Sequence, residues 1–214
     1  MAVRLISVSQ PLVPGIKTAE DHIGYCARVS NPTNQIQDPA RLLKYCIKNK
    51  HWSIFEMANM VVEIKTTRAI AAQILRHRTF TFQEFSQRYA AVADAPTIVE
   101  ARTQDHKNRQ NSFETEDEAL KQWWEQEQEK LYEDSLRLYN QAVEKGIAKE
   151  SARFVLPLST PTTMYMNGTV RSWIHYIDLR SGNGTQKEHK EIAEACKEIF
   201  KEQFPVTADA LEWK

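Results

Sequence analysis

Apolar and polar positions along the first third of the chain predict strands and short helices. The opening VRLISVSQPLV alternates and is rich in β-branched residues, which predicts a strand stopped by Pro11 and Pro14. Helical spacing of apolar residues predicts helices at 18–28 and 39–49, the second capped by Asp38. MANMVVEIKTT predicts a further strand, leading into a helix that carries AAQILRHR.

The middle of the chain combines an aperiodic segment with a long helical pattern. Residues 91–113 are polar and lack periodicity, which predicts a long loop excursion. Thr115 and Glu118 form the pattern of a capping box, and Gly146 is placed to end the helix that follows. The apolar positions that repeat along one face of this helix are Trp124, Leu131 and Leu138.

The last third predicts another strand between helices. SARFVLPLSTPTTMYMNG begins with a helical pattern, must be extended before its prolines, and continues as a strand. TVRSWIHYIDLR predicts a helix, and a last helix begins at a second capping box, Thr185 and Glu188, and ends before Pro205. The whole pattern predicts one α+β domain, 1–214, with helices flanking a modest sheet.

Composition excludes several classes of protein. Twenty-eight basic and 28 acidic side chains cancel, so we expect neither nucleic acid nor membrane as a partner. The chain has no apolar run long enough to span a membrane and no signal-peptide pattern at its start, which predicts a cytoplasmic protein. Three cysteines without a C-x-x-C pair suggest neither disulfides nor a metal site; we expect Cys46 and Cys196 to be buried, and no neighbour in sequence to activate Cys26.

The segment AAQILRHRTFTFQEFSQRYA, 71–90, places cations among aromatic residues. Residues 65–109 carry eight Lys or Arg against four Asp or Glu, whereas 113–150 carry five against eleven, so a local basic zone is hidden by the neutral total. Arginines in apolar company need a carboxylate or a bound anion, and guanidinium matches phosphate well. On a helix Gln73 and Arg76 would share a face, and beyond it Glu84 and Arg88 would align along an extended strand.

Plainer interpretations of these residues remain open at this point. The arginines could be surface residues, His77 a satisfied helix histidine, and Arg180 a cation at a helix C-terminus. The sequence has no G-x-G-x-x-G, Walker, H-E-x-x-H or G-x-S-x-G pattern, so a conventional nucleotide fold, a metal site and a nucleophilic Ser86 lack support.

The spacing Arg-His-Arg, seven residues, then Ser, formed by Arg76, His77, Arg78 and Ser86, resembles the signature of the flavin-dependent thymidylate synthases. Further blocks in the order of that family are ARVS at 27–30, HWSIFE at 51–56, ARFVLPL at 152–158 and RSWIHYIDLR at 171–180. The resemblance implies a mainly antiparallel sheet and a homotetramer with active sites between subunits.

The resemblance also implies which residues contact each ligand. The FAD contacts would be Ser53, Arg76, His77, Arg78, Glu84, Thr169, Arg171 and His175. The contacts of the substrate dUMP would be Gln73, Arg76, Glu84, Phe85, Ser86, Gln87, Arg88, Arg153 and Arg180. Thr169 stands where the family often has Asn. The implied reaction converts dUMP to dTMP with 5,10-methylenetetrahydrofolate as carbon donor and NADPH as reductant, and the implied mechanism needs no cysteine nucleophile.

We expect Arg180 to be catalytic by stabilising negative charge on the uracil ring. Two other functions remain open: an NADPH-dependent flavin reductase without methyl transfer, and a non-enzymatic protein that binds RNA or phosphate through the same arginines.

Overall fold

A computed structural model describes residues 1–92 and 96–213 of the chain. The helices of this part are α1 (Ala19–Ala27), α2 (Ala40–Lys48), α3 (Arg68–Ile74), α4 (Glu118–Glu144), α5 (Lys149–Ala152), α6 (Val170–Arg180), α7 (Lys187–Gln203) and α8 (Pro205–Ala210). Its strands are β1 (Ala2–Val8), β2 (Asn59–Thr67), β3 (Thr81–Glu84), β4 (Arg102–Gln104), β5 (Ser112–Glu114) and β6 (Pro161–Thr169). The predicted α+β class is therefore confirmed.

Four strands form one antiparallel sheet in the order β1-β2-β6-β3. One face of the sheet is apolar and fully buried, at Met60, Val62 and Ile64 of β2 and at Met164 and Met166 of β6. Alternation along each strand sends every second side chain to this face. The predicted strands at the start of the chain, after residue 57 and before residue 169 are confirmed.

Helices α6 and α7 cover the apolar face of the sheet. Trp173 of α6 is fully buried, and its indole N–H donates to the carbonyl of Met60 at 2.9 Å. The ring of Phe80 meets Trp173 edge to face, with 4.8 Å between centroids. This packing fixes α6, whose outer residues belong to the predicted site, against the strand that follows the Arg-His-Arg turn.

The sequence predicts that Arg-His-Arg lies on a helix, and this prediction is wrong. Helix α3 ends at Ile74, and turn bonds from the N–H of His77 to Ile74 and from the N–H of Phe80 to His77 follow it. Beyond this turn Phe80 is buried against Gly168, where an added Cβ would come within 2.4 Å of the ring. Arg76 and Arg78 are exposed on this turn.

Both predicted capping boxes are wrong. The helix predicted to end before Pro205 is confirmed as α7, but it is not the last helix of the described chain. Asp117 caps α4, its Oδ1 accepting from the N–H of Leu120 at 3.0 Å. At α7 the carboxylate of Glu188 binds Arg102 and does not reach back to the helix start. Pro205 opens a further helix, α8, because proline fits the first helical position.

Three further predictions, about the end of α4, the start of α2 and the loop 91–113, have different outcomes. Gly146 follows α4 with φ +87°, as a helix-ending glycine should. The N-cap position of α2 is Pro39, one residue later than predicted, although Asp38 Oδ1 accepts from the N–H of Ala40 at 2.9 Å. The predicted loop at 91–113 contains strand β4 and most of a hairpin with β5, and its residues 93–95 lie outside the described part of the chain.

The apolar face predicted on α4 is not covered within the chain. Trp124, Leu131 and Leu138 are 38%, 59% and 50% exposed. The residues of α4 that the chain buries are Tyr132 and Tyr139. Helix α4 therefore presents an apolar face to its surroundings as well as to its own chain.

Candidate active site

Most of the predicted site residues lie in three places in the described chain, and the others are Ser53, Arg76, Arg78 and Arg153. The first, which we call the His77–Arg180 cluster, also contains Gln73. The second, the Glu84–Arg88 cluster, comprises residues 84–88. The third is a cavity of about 710 Å³ at the side of α6, here called the α6 cavity. Among the described residues no hydrogen bond or ion pair joins the Glu84–Arg88 cluster to the other two.

In the His77–Arg180 cluster the histidine is held as a neutral acceptor. Nε of Arg180 donates to Nε2 of His77 at 2.9 Å. Burial, followed by the positive charges of Arg180, His175 and Arg76, lowers the pKa of His77 from 6.5 to about 4. A proton on Nε2 would face the guanidinium directly, so the pair is stable only with His77 neutral.

The guanidinium of Arg180 is half-buried at the C-terminus of α6. Only its Nε has a hydrogen-bond partner in the described part of the chain, which leaves both Nη groups available to a ligand. A guanidinium held at Nε by a neutral group keeps its full charge and a fixed orientation. Arg180 is therefore preorganised to face an anion.

Gln73 is fixed by two side chains that sequence reasoning did not connect with it. Its Oε1 accepts from Nδ1 of His189 at 3.2 Å, and its Nε2 donates to Oε1 of Gln186 at 2.6 Å. His189 is fully buried, and its Nε2 has no partner among the described residues. The sequence analysis assigned no role to His189.

The Glu84–Arg88 cluster is organised by Arg68, which the sequence analysis missed. Nη1 of Arg68 lies 2.8 Å from Oε1 of Glu84, and Nη2 donates to the carbonyl of Phe85 at 2.8 Å. Thr162 donates to the same carboxylate oxygen at 2.9 Å. These bonds fix the end of β3 just before the exposed hydroxyl of Ser86.

The other members of this cluster differ in exposure. Arg88 is exposed and binds the carboxylate of Glu150 at 2.9 Å. Gln87 is buried, and its Nε2 lacks a partner in the described structure. Arg153, whose guanidinium lies 5.7 Å from the ring centre of Phe154, begins the short 3-10 turn Arg153–Val155.

The α6 cavity is lined by three of the predicted FAD residues, Thr169, Arg171 and His175, and by Trp52. Arg171 is paired with Glu56 at 2.6 Å. The hydroxyl of Thr169 caps α6 by accepting from the N–H of Ser172 at 3.2 Å. Ser53, also predicted to contact FAD, is exposed on the turn beside Trp52 but does not line the cavity.

The cysteines lie outside these three places. Cys46 and Cys196 are buried, as predicted, and burial raises the pKa of both thiols. Cys26 is half-buried on α1, with its Sγ 3.7 Å from Nε2 of His22. The sequence analysis did not foresee this neighbour, although a spacing of four on a helix places the two side chains on one face.

The described part of the chain shows neither a metal-binding cluster nor a membrane-spanning helix. No group of three or more His, Cys, Asp or Glu side chains in the described ranges is arranged to hold a metal ion. Within the same ranges, no helix is both long and apolar enough to cross a membrane.

Comparison with known proteins places this arrangement in a family. Residues 11–206 match the model of the family described as thymidylate synthase complementing protein, Thy1. A protein of Paramecium bursaria Chlorella virus 1, named a probable flavin-dependent thymidylate synthase, is 63% identical over 215 residues, covering all of both chains. The flavin-dependent thymidylate synthase of Synechocystis sp. is 53% identical over 216 residues, again covering both chains fully.

The fold also matches solved structures. The UMP/dUMP methylase PolB from Streptomyces cacaoi, solved with 5-Br dUMP, superimposes with a TM-score of 0.85 at 24% identity, over 99% of this chain and 94% of that one. At this identity the likeness concerns the fold. With the family model covering most of the sequence and two relatives matching its full length, the chain belongs to the Thy1 family of thymidylate synthase complementing proteins.

Proposed function

We propose that the chain is a flavin-dependent thymidylate synthase with FAD as cofactor. It would combine dUMP, 5,10-methylenetetrahydrofolate, NADPH and a proton to give dTMP, tetrahydrofolate and NADP⁺. The observation that carries the proposal is the pairing of Arg180 with a neutral His77, in a family whose full-length relatives carry this name. The proposed substrate, dUMP, is the parent compound of 5-Br dUMP, with which the related methylase was solved.

The α6 cavity fits part of a flavin cofactor. Its volume of about 710 Å³ lies within the range of about 300–1,000 Å³ found for ligand pockets. Trp52 and His175 offer planar groups, and Arg171 would share its guanidinium between Glu56 and a phosphate. The exposed Arg76 and Arg78 on the nearby turn would reach the remaining phosphate oxygens. When bound, the flavin would supply the redox chemistry.

The chain's own residues would bind and polarise the pyrimidine. Both Nη groups of Arg180 are available to a ring oxygen, and the fixed charge would stabilise the anion that forms when the uracil ring loses its N3 proton. That anion makes carbon 5 a better nucleophile, and carbon 5 loses its own proton as the new carbon bond replaces it. Gln73, fixed by His189 and Gln186, would hydrogen-bond the ring edge.

The remaining predicted dUMP contacts would come from another subunit of a homotetramer. Arg88 and Ser86 lie in a cluster separate from Arg180, which suggests that two chains complete one site. The exposed face of α4 supplies apolar surface for assembly. Leu138→Glu should therefore reduce the mass measured by sedimentation equilibrium, because it buries a charge in the interface. A tetramer of unchanged stability would argue against this face.

The proposal is tested by measuring dTMP chromatographically in complete mixtures and in mixtures lacking one component. We expect dTMP only when dUMP, methylenetetrahydrofolate, NADPH and FAD-loaded protein are all present. NADPH oxidation without dTMP in the complete mixture would indicate the flavin reductase instead. A purified protein that lacks flavin absorbance and binds no added FAD would support the non-enzymatic phosphate binder.

A further inference from the structure

A second large cleft lies outside the three places described above. It has a volume of about 750 Å³ and is bounded by the β4–β5 hairpin, the first turns of α4 and the loop 182–186 between α6 and α7. None of the residues predicted to contact FAD or dUMP lines it. The hairpin belongs to the polar segment for which the sequence suggested no role.

The cleft combines aromatic and cationic side chains. Trp123 and Trp124 form one wall, and the two indoles are 55% and 38% exposed with ring centres 6.1 Å apart. Arg109 of the hairpin and Lys190 of α7 also line it. Within residues 1–92 and 96–213 neither cation takes part in an ion pair, so both charges are available to a ligand.

The other charges of the cleft are already paired, and this pairing stiffens its walls. Arg102 of the hairpin binds Glu188 of α7, with both side chains close to 10% exposed. Lys187 lies within 3.0 Å of both Glu100 and Glu114. Because these pairs fasten the hairpin to α7, the cleft is a preformed feature whose unpaired charge is positive.

The cleft adjoins the predicted dUMP site through one side chain. Gln186 lines the cleft and accepts the hydrogen bond from Nε2 of Gln73. A molecule in the cleft therefore lies behind the residue that would hold the pyrimidine.

We propose that this cleft binds the aromatic, anionic part of a co-substrate, with a ring against Trp123 and its phosphates or carboxylates on Arg109 and Lys190. The proposal rests on the proposed function, which requires two such molecules, a reduced dinucleotide and a folate. Both combine planar rings with anionic groups, so the cleft's chemistry suits either source. Stacking on indole and charge-assisted hydrogen bonds are the interactions that would hold them.

The test is isothermal titration of the FAD-loaded protein with NADP⁺ and, separately, with tetrahydrofolate, neither of which turns over alone. We compare wild type with Arg109→Gln/Lys190→Gln and with Trp123→Leu. The matched control is Arg137→Gln/Lys201→Gln, which removes the same charges from α4 and α7 outside the cleft. The cleft variants should bind one ligand at least about tenfold more weakly, because charged hydrogen bonds are lost.

Each outcome decides the matter. Weaker binding of NADP⁺ identifies the dinucleotide, weaker binding of tetrahydrofolate identifies the folate, and weaker binding of both supports the shared chemistry. The proposal is overturned if the cleft variants bind both as wild type does, if the control weakens binding equally, or if wild type binds neither. Formation of dTMP by wild type, assayed in parallel, tests the proposed function independently of these binding constants.

Discussion

Replacing His189 by asparagine tests whether a buried neutral imidazole makes folding depend on pH. The His189 side chain is fully buried and donates from Nδ1 to Gln73. Burial, followed by the charges of Arg180 and His77, lowers its pKa from 6.5 to about 4. In His189→Asn the amide N–H can still donate to Gln73, but nothing at this position titrates.

The magnitude follows from the two pKa values. Between pH 6.5 and about 4 the unfolded chain binds a proton at His189, whereas the folded chain does not. The free energy of unfolding therefore falls as the pH falls. A difference of about 2.5 pKa units corresponds to about 3 kcal/mol at about 1.4 kcal/mol per unit. The loss levels off below pH 4, where both states are protonated.

Denaturant unfolding at pH 7.5, 6.5, 5.5 and 4.5, at constant ionic strength, measures this effect. Between pH 6.5 and pH 4.5 the free energy of unfolding of wild type should fall by about 2 kcal/mol relative to that of His189→Asn, because most of the titration falls in that interval. His106→Asn, which removes an exposed histidine, controls for a general loss of charge. Parallel pH curves for wild type and His189→Asn would refute the reasoning.

Three further substitutions probe catalysis and packing. Arg180→Ala should lower dTMP formation by about 10²–10³ while FAD absorbance is retained; unchanged turnover would remove Arg180 from the catalytic role. Cys26→Ser should leave the rate of dTMP formation unchanged, and a loss comparable to that of Arg180→Ala would indicate a thiol mechanism. Gly168→Ala should destabilise the fold by about 1–3 kcal/mol in thermal melts because its Cβ would strike the Phe80 ring; Gly182→Ala, whose Cβ meets nothing closer than 3.5 Å, is the control, and equal melting temperatures would contradict the packing account.

Much of the fold could be predicted because local patterns coincide with burial. Strand β2 alternates Met60, Val62 and Ile64 onto the buried face of the sheet, and this alternation is visible in the sequence. The residues that cap the helices could be predicted less accurately. Thr115 and Asp117 both offer an oxygen just before α4, and only the backbone geometry selects the aspartate as the cap.

The candidate site residues could be proposed from the sequence, but the contacts that the structure shows between them could not. The spacing of Arg76, His77 and Arg78 could be recognised directly, whereas Gln73 meets Gln186 across 113 residues of sequence. Arg68 escaped notice because its carboxylate partner, Glu84, lies on another element and no local pattern links them. Contacts of this kind arise from the packing of α3 against the sheet.

The face of α4 shows a different reason for an incomplete prediction. The regular spacing of Trp124, Leu131 and Leu138 predicts an apolar helix face, but it does not show whether that face packs against the chain's own core or against another molecule. Their exposure separates these two cases, and exposure is a property of the folded chain.

The most direct test of the proposed reaction is mass spectrometry of the nucleotide formed from dUMP when the methylene carbon of methylenetetrahydrofolate is ¹³C. We predict dTMP carrying the label in its methyl group, formed only with FAD-loaded protein and NADPH. Unlabelled dTMP, or NADPH consumption with no dTMP at all, would contradict the account.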